Sequence, residues 1–175
     1  REIIGRPIIA RVSERRLQPQ DWDRLVQAIQ SLELPASDRL GIQNDAYSLS
    51  RAGILPVTQF LSLARAYGNE TDASVWGDLS SNLRDIEVLL SGEPNLGAYR
   101  AFAQNIFRPA VQRAGWDAQP GEGHLDALLR STVLSQSGSY GDSEVLEQAK
   151  DRFGRYLKDP SALHPDIRGV VFGLA

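Results

Sequence analysis

The two histidines, His124 and His164, are the first place to look for metal or proton-transfer chemistry. A helical zinc site needs two imidazoles four positions apart with a glutamate between them, which puts both on one face and supplies a base. Neither histidine has such a neighbour, so the sequence holds no zinc-protease site of its own. His124-Leu125-Asp126 sets a carboxylate two residues from an imidazole, but two steps along a helix turn the side chains about 200° apart. A capping or surface histidine explains it better than a catalytic pair. The serine-bearing run Ser137-Gly138-Ser139-Tyr140-Gly141 lacks the preceding strand that strains a nucleophile elbow, and it reads as a flexible loop. Gly121-Glu122-Gly123 has no strand before it either, and Glu122 would repel a phosphate, so a loop leading into a helix is expected there. There is no cysteine, hence no thiolate nucleophile, no Cys-type metal site and no disulfide framework.

The run Asp38-Arg39-Leu40-Gly41-Ile42-Gln43-Asn44-Asp45-Ala46-Tyr47 is denser in polar groups than a surface helix needs. Asp38 shares a face with Ile42, and Arg39 with Gln43. Polar ties between neighbouring helices account for this pattern better than ligand contact does. Arg84, Asp85 and Glu87 read as a solvated helix face.

The elements that must position these residues follow from composition and spacing. With 175 residues and 42% hydrophobic content, the chain is large enough to bury a continuous core. A net charge of −3 gives no basic footprint for a phosphate backbone, so nucleic acid is not an expected partner. The longest apolar runs are too short to span a bilayer, so no membrane partner is expected; the absence of cysteine points to the cytoplasm.

Residues 1–18 form an expected lead-in, with Ile3 to Val12 suited to an extended segment; residues 19–175 are expected to be the helical domain. Trp22, Leu25, Val26, Ile29 and Leu32 recur at steps of three and four and predict the first helix. Pro35 restarts the chain for a second helix ending at Gly53, and Pro56 opens a third that Gly68-Asn69 closes. Thr71 or Asp72 caps a fourth, whose stripe is Val75, Leu79, Leu83, Ile86 and Leu90. Tyr99, Phe102, Ala103, Ile106 and Ala110 line a fifth, which Pro109 should kink or divide and Gly115 end. Leu125, Leu128, Leu129 and Val133 predict a sixth, and Asp142 or Ser143 caps a seventh carrying Val145, Ala149 and Phe153 before a truncated eighth. The reading is all-α: antiparallel helix pairs stacked into a curved HEAT/armadillo-like superhelical array of about seven to eight helices, with a closed bundle as the other arrangement.

Three blocks then carry a family resemblance. They are Leu34-Pro35 through Asp38 to Asp45 with Leu49-Ser50-Arg51-Ala52-Gly53; Val75-Trp76-Gly77-Asp78-Leu79-Ser80-Ser81-Asn82-Leu83; and Gly115-Trp116-Asp117 with Pro120 to Arg130. Arg152-Phe153 and Asp166-Ile167-Arg168 follow in order. Together they resemble the C-terminal helical domain of gluzincin zinc aminopeptidases of the puromycin-sensitive and endoplasmic-reticulum types. The resemblance implies a parent enzyme that removes N-terminal residues from peptides with one catalytic zinc. That zinc and its His-Glu-x-x-His and Gly-x-Met-Glu-Asn motifs would lie in a separate catalytic domain of the same polypeptide, and this sequence contains neither motif. The helical domain would enclose the cavity and limit which peptides enter. Arg39, Asn44, Glu122, His124 and Arg130 are then the candidate peptide-contact or inter-helix polar residues, with no catalytic and no metal residue and no cofactor in this stretch. The chain starts without Met and ends in Val170-Val171-Phe172-Gly173-Leu174-Ala175, so a truncated domain that dimerises through an exposed apolar end is a further expectation. The rival expectation is a freestanding helical-repeat module that binds a partner protein.

Overall fold

The computed structural model describes residues 19–175, and among these every regular element is helical. The expected extended segment at Ile3 to Val12 and the lead-in as a whole lie outside the described residues. The eight α-helices of the described residues fall into two compact units, the first ending at Glu70 and the second running Thr71–Ala175.

In the first unit, α1 (Pro19–Gln30), α2 (Ala36–Arg51) and α3 (Val57–Ala64) are followed by a 3-10 turn at Arg65–Asn69. That turn packs on α1 and α3, and α2 packs on α3, with the Tyr47 and Phe60 rings 5.3 Å apart. Ile29, Ile42, Phe60, Leu63 and Tyr67 are buried. The helix ends show how local sequence sets direction. After α2, Gly53 takes a φ of 70°, its N–H donates to the Ser50 carbonyl and the Ile54 N–H to that of Leu49, a glycine-closed Schellman end. After α1 the same bond pattern recurs, Leu32 N–H to Ile29 and Glu33 N–H to Ala28, but Leu32 occupies the left-handed position with a φ of 58°. Leu32 therefore leaves the apolar stripe to which its spacing assigns it and turns the chain instead. A Cβ in that conformation costs about 1–2 kcal/mol, which the packing around the turn has to offset.

The second unit holds α4 (Ala73–Leu89), α5 (Leu96–Ala114), α6 (His124–Ser139), α7 (Ser143–Lys158), a 3-10 turn at Pro160–Ala162 and α8 (Pro165–Leu174). α6 is its hub, packing against α4, α5, α7 and α8. Asp72 caps α4 by accepting from the N–H groups of Ser74 and Val75 at 2.8 and 3.1 Å, and Asp142 caps α7 in the same way. An aromatic layer runs from Trp76 to Phe107 (5.1 Å) and from Phe107 to Tyr140 (5.8 Å). Burial drives the pKa of the Tyr140 hydroxyl above its ordinary value, with the Glu87 carboxylate adding to the effect.

Three expectations change here. Pro109 does not divide α5, which continues to Ala114. The period of α6 is as expected, but its phase is not. Arg130, Val133, Leu134, Ser137 and Gly138 are the buried positions, whereas Leu125 and Leu128 stay exposed on the first two turns. Third, Ser137 to Ser139 form the last turn of α6 rather than a flexible loop. The Ser137 hydroxyl donates to the Asp142 carboxylate at 3.0 Å, and Gly141, with a φ of 88°, closes the end. At Gly138 a Cβ would lie 2.5 Å from a methyl carbon of Leu174 of α8, so a side chain there would require the Leu174 side chain to shift.

Candidate functional site

The five polar candidates belong to different units. Arg39 and Asn44 are on α2, while Glu122, His124 and Arg130 surround the start of α6. Arg39 is buried, and its Nε and Nη2 donate to the two carboxylate oxygens of Glu70 at 2.5 and 2.7 Å. Its Nη1 donates to the Leu34 carbonyl, and the Arg39 carbonyl accepts from the Tyr67 hydroxyl at 2.7 Å. Burial raises the Tyr67 pKa, Glu70 adds to this and Arg39 opposes it, so the phenol remains a neutral donor. The fork of the guanidinium matches the carboxylate in a bidentate pair, the geometry in which charge-assisted bonds are strongest. Arg39 thus ties α2 to the end of the 3-10 turn. Asn44 is half-buried, five residues further along α2 and about 140° round the helix.

In the second unit, Glu122 and Arg130 are brought together. Arg130 is buried, and it donates from Nη2 to the Glu122 carboxylate and from Nε to the Ala114 carbonyl at 3.0 Å. One side chain therefore closes the end of α5 and pins the loop 115–123, in which no residue is buried. The hydrogen bond from Arg130 holds the Glu122 carboxyl below its ordinary pKa, helped by the Gln119 backbone. The same loop has a second arginine tie: Arg152 of α7 stacks on Trp116, 4.6 Å from the ring centroid, and reaches the Asp117 carboxylate at 3.3 Å. Burial lowers the Arg152 pKa, and Asp117 opposes that shift. His124 is exposed at the first position of α6, beyond the Gly123 N–H, which donates to Asp126 at 2.8 Å. Asp126 thus supplies one half of a capping box, and Gly123 has no side chain to supply the other.

Glu70 and Tyr67 form these ties with no motif to announce them, and Trp116 and Arg152, although they stand in the family-like blocks, carry no sequence sign of their pairing. Their partners lie 28 or more positions away in the chain, and nothing in local spacing points to them.

Zinc, which the family resemblance implies for a parent enzyme, does not fit the residues described. Among them no three His, Cys, Asp or Glu side chains gather. The His164 ring Nδ1 faces the Asp166 N–H at the start of α8, as a helix cap does, and His124 stands at the surface. Among the described residues, no helix is long and apolar enough to cross a membrane.

Among the described residues the chain is all-α, and Arg39, Arg130 and Arg152 are engaged in internal ties. The chain belongs to the ERAP1-like C-terminal domain family, whose description matches residues 14–175. Its relatives include Aminopeptidase M1-A of Oryza sativa subsp. japonica, 36% identical over 153 residues, which cover 85% of this chain and 17% of that protein. Aminopeptidase M1 of Arabidopsis thaliana is 33% identical over 150 residues, 83% of this chain and 17% of the relative. Puromycin-sensitive aminopeptidase of Caenorhabditis elegans is 26% identical over 148 residues, 83% of this chain and 16% of the relative. The chain therefore spans about a sixth of the length of these relatives.

Proposed function

We propose that the chain is the non-catalytic C-terminal helical domain of a zinc-dependent aminopeptidase, where it encloses the active-site cavity and helps select the peptides that enter. The match of residues 14–175 to the ERAP1-like C-terminal domain carries this reading, and the aminopeptidase names of the relatives support it. The catalytic domain of the same polypeptide is the first partner, peptides are the substrates and the cytoplasm is the compartment. Zinc belongs to the catalytic domain and not to these residues. Of the five polar candidates, His124 is the exposed one most accessible to a peptide, whereas Arg39 and Arg130 are buried and would act by holding their surroundings in place. Two copies would associate through the C-terminal helix, on which Phe172 is exposed.

The test compares the full-length enzyme with a form lacking residues 19–175, using an aminoacyl-coumarin and a set of peptides of increasing length. The truncated form should change its dependence on peptide length far more than its turnover of the small substrate. An unchanged length profile, or a full-length protein without aminopeptidase activity, would overturn the reading. The isolated domain with added zinc should hydrolyse neither substrate. In the full-length enzyme, His124→Ala should raise KM for peptides by about 2- to 10-fold, the worth of one exposed hydrogen bond, and leave the aminoacyl-coumarin KM unchanged.

A further inference from the structure

We draw no further inference here: the strongest candidate, the exposed apolar pair Leu125 and Leu128 on the first two turns of α6 beside the arginine-pinned loop 115–123, is an unpartnered face, and nothing in the structure shows what covers it.

Discussion

The Arg39 tie of the first unit and the Arg130 tie of the second use the same chemistry in different surroundings. Each joins an arginine to a glutamate and to a backbone carbonyl. In the first, both charges are removed from water, with side chains only 7% and 1% exposed. In the second, the arginine is 3% exposed but the glutamate 23%. A fully enclosed pair adds little net stability, because desolvation offsets the attraction, yet it is costly to break since one charge is left stranded. A pair whose carboxylate can return to water loses mainly its hydrogen bonds. The span differs too: Arg39 and Glu70 are 31 positions apart and depend on the folded unit, whereas Glu122 and Arg130, eight apart, close a single loop.

This contrast fixes the order of the expected effects. Arg39→Met takes the guanidinium away from the buried Glu70 carboxylate and should cost about 3–5 kcal/mol in urea unfolding. Replacing both residues, as Arg39→Met with Glu70→Leu, should recover most of that loss, because both charges of the pair are then removed together. Equal losses in the single and double variants would show that packing, not stranded charge, sets the cost.

Arg130→Met comes second, at about 1–3 kcal/mol by the same measurement, since the Ala114 carbonyl loses its donor while Glu122 can rehydrate. A loss as large as that of Arg39→Met would erase the distinction between the two ties. Hydrogen exchange should rise first in the loop 115–123 of this variant.

The smallest effect is a pH dependence. The folded state holds the Glu122 carboxyl below its ordinary pKa, so its contribution is complete above the ordinary carboxylate range and is lost as pH falls through the lowered folded value. Glu122→Gln should therefore flatten the decline of stability on the acid side and leave its shape near neutrality unchanged. Melting temperatures across that range, compared with the unsubstituted protein, give the answer. An identical acid-side slope would show that the bond from Arg130 does not persist in solution.

Much of the fold is legible in the sequence because helices announce themselves locally. The 3.6-residue period places the stripe Val75, Leu79, Leu83 and Ile86 on one buried face, and Asp72 and Asp142 sit where free N–H groups need an acceptor. Gly53 likewise marks the end of α2. The misreadings have two causes: at Leu32 local backbone bonds turn the chain, and in α6 long-range packing overrode a local signal. Leu32 turns the chain although its spacing assigns it to a helical stripe, and Leu125 and Leu128 remain exposed because the rows carrying Arg130, Val133 and Leu134 face the neighbouring helices. Ser137-Gly138-Ser139 has loop-like composition, yet it forms the last turn of α6, where Ser137 bonds to Asp142, Leu174 lies close to Gly138, and both Ser137 and Gly138 are buried.

The candidate site divides in the same way. The types of residue were visible, and so was the lack of zinc spacing around His124 and His164, because a motif is a property of neighbouring positions. What the sequence determined by itself is therefore the helical character and its punctuation, which depend on residues within one or two turns of each other. Only the tertiary structure decided that Arg39 meets Glu70, that Arg152 stacks on Trp116 and that Arg130 closes the loop after α5. Those partners are set by how helices pack, and an arginine shows the same charge and length to any reader of the chain wherever its carboxylate comes to lie.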